Sequence, residues 1–263
     1  MPEMSRRLFL GSSGRAAFAV AMLGLAACGD DDAAPATTAA AAVTTTAAAT
    51  TSSTSSSPTS SAPTTEPVAG EAPAAGVEWR RVSLGFVSAY VLARGGEAAI
   101  VDTGVAGSGG DIAAGLASLG LGWGDVGHVV FTHLHGDHIG SSAEVMTSAV
   151  DAVGYAGAPD LPAVESPRPI TAVDDGDRVF DLEVIATPGH TAGHISVLDP
   201  VGGVLVAGDA INGQDGGVTG PNPQFSSDMT AAIASVAKLA TFTFDTVLCG
   251  HGDPVLARPG REL

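Results

Sequence analysis

Lysine is nearly absent from this chain. Lys238 is the only one, and Lys and Arg together number 11 against 28 Asp and Glu, a formal net charge of −17. Nucleic-acid binding draws on clustered Lys and Arg to displace counterions from phosphate, so that partner class is excluded, and polyanionic substrates become unattractive with it. Cysteine is as scarce, with Cys28 and Cys249 alone. An internal disulfide would need both, and the folded part is expected to do without one. Cys249 ends the apolar stretch Thr246-Val247-Leu248-Cys249, where a free cysteine behaves as a small buried hydrophobe. Long apolar runs are missing too: Phe18 to Ala27 is too short and too rich in Gly and Ala to span a bilayer.

The first 76 residues differ in composition from the rest. Residues 1–28 run from Ser5-Arg6-Arg7-Leu8-Phe9-Leu10 through a Gly/Ala-rich apolar stretch to Leu25-Ala26-Ala27-Cys28. That is the order of a charged region, an apolar region and a small-residue cleavage site in an export signal. The paired arginines resemble a twin-arginine signal, and Leu-Ala-Ala-Cys resembles the lipobox of bacterial lipoproteins. Cys28 is then the lipidated first residue of the mature protein, and the expected location is the outer face of the bacterial cell membrane. An uncleaved membrane anchor is the alternative reading. Residues 29–76 are nearly all Ala, Thr, Ser and Pro, with no period and no large apolar side chains. They read as a disordered tether with an end-to-end distance of roughly 40 Å.

Residues 77–263 form the expected catalytic domain, with short apolar runs alternating with helix-like segments, which predicts an α/β fold. Strands are expected over 86–93, 98–101, 128–132, 182–186, 195–198, 204–207 and 246–249, each bounded by Gly, Pro or Asp. Helices are expected over 109–119, 142–150 and 227–240, the last capped by Ser226, Ser227 or Asp228.

The chemistry concentrates in Thr132-His133-Leu134-His135-Gly136-Asp137-His138, which follows the apolar run His128-Val129-Val130-Phe131. Imidazole and carboxylate donors so closely spaced suit zinc and other borderline divalent ions, and no thiolate is present to make a closed structural site. Three more candidates follow glycines at strand ends: His190 after Gly189, Asp209 after Gly208 and His251 after Gly250. A glycine there lets a tight backbone turn aim the next side chain.

These motifs, in this order across residues 82–256, resemble those of the metallo-β-lactamase fold superfamily. The resemblance implies a four-layer αββα sandwich and two divalent metal ions, zinc by preference. It places one ion on His133, His135 and His190 and the second on Asp137, His138 and His251, with Asp209 bridging. It further implies that a metal-bridging hydroxide attacks a carbonyl, with Asp137 as proton shuttle. Asp102, in Val101-Asp102-Thr103-Gly104, and Thr132 are assigned supporting roles around the ligands. His194 is read as an ordinary hydrogen-bonded histidine and His128 as a surface or strand-edge one.

The superfamily hosts many chemistries, so fold and ligands leave the small-molecule substrate open. Asp209 argues against a true β-lactamase. Asn212 stands where lactonases of acyl-homoserine lactones carry a tyrosine, and its amide is a candidate oxyanion donor. Twelve residues follow His251, and on that count no helical glutathione-gripping domain is expected. Residues 216–225 either line the active-site mouth through Phe225 or are a plain Gly/Pro-rich connection. The leading expectation is a dinuclear hydrolase of a small ester, lactone, thioester or amide. The alternatives are a mononuclear iron-dependent oxidoreductase acting on a thiol or persulfide, and a non-catalytic metal-binding surface lipoprotein.

Overall fold

The structure, a computed structural model, describes residues 75–256. The export-signal and lipidation readings at 1–28, and the tether reading at 29–76 except for its last two residues, lie outside those residues. In chain order the strands are β1 (Glu78–Leu84), β2 (Val87–Arg94), β3 (Glu97–Val101), β4 (Val126–Phe131), β5 (Val153–Gly157), β6 (Ile170–Val173), β7 (Arg178–Val179), β8 (Leu182–Ala186), β9 (Ile195–Asp199), β10 (Val204–Gly208), β11 (Asn212–Gln214), β12 (Gly217–Thr219), β13 (Thr246–Cys249) and β14 (Val255–Leu256). The helices are α1 (Gly109–Ser118), α2 (Gly136–Ile139), α3 (Ser142–Ser148) and α4 (Met229–Leu239).

Two six-stranded sheets carry the domain, one ordered β1-β2-β3-β4-β5-β6 and the other β14-β13-β10-β9-β8-β7, while β11 and β12 form a separate hairpin. Side chains alternate faces along a strand, and the alternation sorts the core into three layers. Tyr90, Leu92, Ala99, Val101 and Val130 of the first sheet meet Val184, Val197, Val206 and Leu248 of the second. Their neighbours Val91, Ile100, Val129 and Phe131 face the other way, onto Ile112 and Leu116 of α1 and Val145 and Met146 of α3. On the far side, Ile185, Leu205, Val247 and Cys249 pack with Leu239 of α4. The result is the four-layer αββα sandwich. Fully burying a side chain such as Ile112 or Leu116 contributes about 1.5–3 kcal/mol, which outweighs the small propensity differences along these short helices.

Strands β3, β4 and β5 are parallel neighbours, as are β10 and β13. Their carboxyl ends share one edge of the sandwich, the usual place for a site in sheets of this kind. Of the three candidate caps for α4, Asp228 serves, accepting from the backbone N–H of Thr230 and Ala231. Two expectations need correcting. Phe86 belongs to the β1–β2 turn, 66% exposed, because Leu84 already pairs with Val87. His128 is partly exposed but not at a sheet edge: β4 lies between β3 and β5, and the half-buried ring packs on Tyr155 and Phe180.

Candidate metal centre

The loop after β4 brings His133 and His135, and α2 adds Asp137 and His138. The turn joining β8 to β9 brings His190, the end of β10 brings Asp209, and the end of β13 brings His251. All seven meet at the one edge. Their donor atoms fall into overlapping sets: His133, His135 and His190; His133, His138 and Asp209; Asp137, His138 and His251, each within 4.8 Å. The Asp209 carboxylate sits between sets, with Oδ2 3.3 Å from His190 Nε2 and 3.2 Å from His251 Nε2, and Oδ1 3.2 Å from His138 Nε2. Asp137 Oδ2 is 3.4 Å from His251 Nε2.

The outer partners of the rings decide which nitrogen faces inward. Asp102 Oδ2 accepts from His138 Nδ1 at 2.7 Å and from Thr132 Oγ1 at 2.8 Å. With its one proton so used, Thr132 Oγ1 is left to accept from His133 Nδ1 at 3.0 Å. Ser226 Oγ likewise donates to Asn222 O and accepts from His190 Nδ1 at 3.2 Å, while the Phe86 carbonyl accepts from His251 Nδ1 at 2.8 Å. Four imidazoles therefore hold their Nδ1 protons outward and turn Nε2 inward. His135 Nδ1 completes the cluster, 3.1 Å from His133 Nε2 and 2.9 Å from His190 Nε2.

That arrangement fits a metal. Three ring nitrogens so close together cannot all be satisfied by one another's protons. Although His138 Nε2 and Asp209 Oδ1 are near each other, their geometry makes no hydrogen bond, and both buried atoms lack a partner. The space among them is kept open by Gly250, where a Cβ would come 2.2 Å from Asp209 Oδ1 and 2.7 Å from His138 Cε1.

Electrostatics agree. Burial lowers the pKa of His190 to about 4, against the raising pull of Asp209, and pushes His133 well below its ordinary value. Both stay neutral, the form that ligates. Burial also disfavours charge on His138, but the Asp102 and Asp209 carboxylates on either side prevail and push it up to about 10, so there it is a metal cation that would take the place of a proton on Nε2. For Asp209 burial is overcome by His138 and His251, which hold it far below the carboxylate range.

Two supports had no sequence signal of their own. Asp160, 1% exposed, accepts from Leu134 N at 3.0 Å, Thr191 Oγ1 at 2.6 Å and Gly193 N at 2.9 Å, tying the loop of His133 and His135 to that of His190. The Phe86 carbonyl is the other, and a backbone atom leaves no mark in a sequence. His194 is hydrogen-bonded, but at a telling place: it is fully buried, with a pKa lowered by burial to about 3, and its Nε2 accepts from Asp209 N at 3.0 Å. It thereby fixes the backbone of the shared carboxylate.

Beside the cluster opens a cavity of about 850 Å³, lined by His135, Asp137, Asp209 and His251, by Phe86 and Asn212, and by residues of 219–225 including Phe225. Asn212 Nδ2 donates to Gly220 O at 3.2 Å.

Histidine and aspartate clusters able to hold metal, at the edge of an αββα sandwich, define the class as a metal-dependent enzyme of this fold. Residues 82–251 match the Metallo-beta-lactamase superfamily, and the chain belongs to it. It is similar to Metallo-beta-lactamase domain-containing protein 1 of Xenopus laevis, 36% identical over 176 residues that cover 62% of this chain and 70% of that one. It is also similar to a hydroxyacylglutathione hydrolase of Rhodospirillum rubrum, 32% identical over 142 residues, 51% of each chain. Among solved structures it is similar to TTHA1623 in a di-iron-bound form, 27% identical with a TM-score of 0.54, covering 65% of this chain and 89% of that one. With these relatives the chain is a metal-dependent hydrolase.

Proposed function

We propose that the chain is a dinuclear hydrolase that cleaves a small ester, lactone, thioester or amide outside the cytoplasmic membrane. The observation that carries this is the position of Asp209. One buried carboxylate reaches His190 of the first ligand set and His138 and His251 of the second, so it can be shared between two ions and moderate their repulsion. His133, His135 and His190 would hold one ion, and Asp137, His138 and His251 the second. The all-nitrogen and oxygen donor set favours zinc; the di-iron relative makes two irons the second reading. When bound, such ions polarise a carbonyl and bring the pKa of water near neutrality.

The chain's own residues do the rest. Asp137, its side chain 25% exposed and facing the cavity, takes up a proton at its carboxylate and returns it to the leaving group. Asn212 spends one amide hydrogen on Gly220 O and keeps the second for a developing oxyanion. Asp102, Thr132 and Ser226 hold the histidine tautomers, so each ring meets the site already oriented. Export and lipidation at Cys28 rest on the motif order of residues 1–28; among the described residues no helix is long and apolar enough to cross a membrane.

Chromogenic ester, lactone and thioester assays on the purified full chain, before and after chelation, test the reading. Hydrolysis lost on chelation and restored by zinc or iron is expected. Substrate turnover that survives complete metal removal would overturn it.

A further inference from the structure

Phe86 and Phe225 are 66% and 59% exposed, and both line the cavity that holds His135, Asp137, Asp209 and His251 in its wall. Large exposed aromatics scattered over a surface need no explanation, but these two are positioned. Phe86 is the second residue of a two-residue hairpin loop whose first, Gly85, has φ 84°, the arrangement of a tight II′ turn. Its carbonyl accepts from His251 Nδ1, and its ring stacks on that of His251, centroids 6.0 Å apart and planes within 5°. Phe225 directly precedes Ser226, whose hydroxyl meets His190 Nδ1, and Ser227, whose N–H bonds the His190 carbonyl. Each phenylalanine is thus carried by a segment tied to one cluster histidine.

The rest of the lining has a consistent chemistry. Pro221 and Pro223 add apolar surface, and Asn212, Gln214 and Asn222 bring uncharged amides. No Lys or Arg is among the lining residues. Arg81, whose guanidinium borders the His251 loop, is committed to Asp253, Ser88 and the Gly252 carbonyl. A substrate bearing a peripheral carboxylate therefore finds no counter-ion in the cavity wall, while an apolar arm finds two aromatic faces.

We infer that Phe86 and Phe225 are the specificity-determining residues of the pocket, gripping the apolar arm of an uncharged acyl substrate. This rests on the hydrolase reading for the word acyl, but the grip itself can be measured without turnover. The probes are unreactive methyl ketones of increasing chain length and the same ketones carrying a carboxylate at the far end of the chain, titrated calorimetrically into the metal-loaded full chain. Ketone Kd is expected to fall about threefold per added methylene. The far-end carboxylates are expected to bind at least about tenfold more weakly than the methyl ketones of the same length. Phe86→Ala with Phe225→Ala should raise the Kd of the longest ketone about tenfold or more, and Val201→Ala, on an exposed turn, should leave it unchanged.

A Kd independent of chain length, or unmoved in the double variant while its metal content is intact, would overturn the inference. Length-dependent binding without hydrolysis of any ester or lactone would instead sink the hydrolase reading and leave the grip standing.

Discussion

Asp160 is the most instructive residue to remove, because it touches none of the seven clustered side chains. Its carboxylate accepts three hydrogen bonds, from Leu134 N, Thr191 Oγ1 and Gly193 N, and so joins the loops that carry His133, His135 and His190. A hydrogen bond to a charged acceptor is worth about 1.5–3 kcal/mol. The three share one carboxylate, so their losses do not add in full, and Asp160→Ala is expected to cost about 3–5 kcal/mol. For a domain of this size that lowers Tm by roughly 10 °C. Loosened loops should also weaken metal binding by about ten- to a hundredfold, the usual effect of losing an outer support. Thermal unfolding of the metal-loaded full chain and competition with a chelator of known affinity measure the two effects. Asp160→Asn keeps the volume but turns an amide NH₂ toward N–H donors, so it should fall between. An Asp160→Ala protein with unchanged Tm and unchanged metal affinity would refute the clamp.

Further outcomes follow from the same geometry. Gly250→Ala drives a methyl into the space between Asp209 and His138, so metal affinity should fall at least about tenfold with the fold retained by circular dichroism; full metal content would contradict the fit. Asn212→Ala should lower kcat about ten- to a hundredfold with KM little changed, as expected of a donor used in the transition state; unchanged turnover removes Asn212 from the chemistry. Cys28→Ala should move the expressed protein from the detergent phase to the aqueous phase, and a variant that stays in detergent would exclude lipidation at that residue.

Much of the candidate site was legible because its side chains sit in contiguous or glycine-marked motifs. His133 to His138 occupy one short loop and helix, and His190, Asp209 and His251 each follow a glycine, His190 in the turn after β8 and the other two just past the ends of β10 and β13. What joins them was not legible. Asp160 acts on backbone groups 26 and 33 residues away, and the Phe86 carbonyl carries no side-chain signal. The role of His194 stayed hidden too, since its partner is the Asp209 N–H, and Ser226, read as a cap, instead meets His190.

The fold class followed from alternating runs of apolar residues, but seven strands did not. Strand β1 carries Glu78, Arg80 and Arg81 at a sheet edge, where the polar face meets solvent. Strand β5 reads Val153-Gly154-Tyr155-Ala156-Gly157, too glycine-rich for a strand signal, yet a Cβ at Gly154 would come 2.4 Å from Ile170 Cδ1. There tertiary packing overrides propensity. β6, the hairpin strands β11 and β12, and the two-residue β7 and β14 are too short for a period to show.

The central claim is that Asp209 is shared between two ions, and metal counting on the purified full chain tests it most directly. Elemental analysis should find two equivalents of zinc or iron per chain, falling in Asp209→Ala as both sets lose a donor. A single equivalent in the wild-type chain, unchanged in Asp209→Ala, would contradict the shared carboxylate and with it the dinuclear reading.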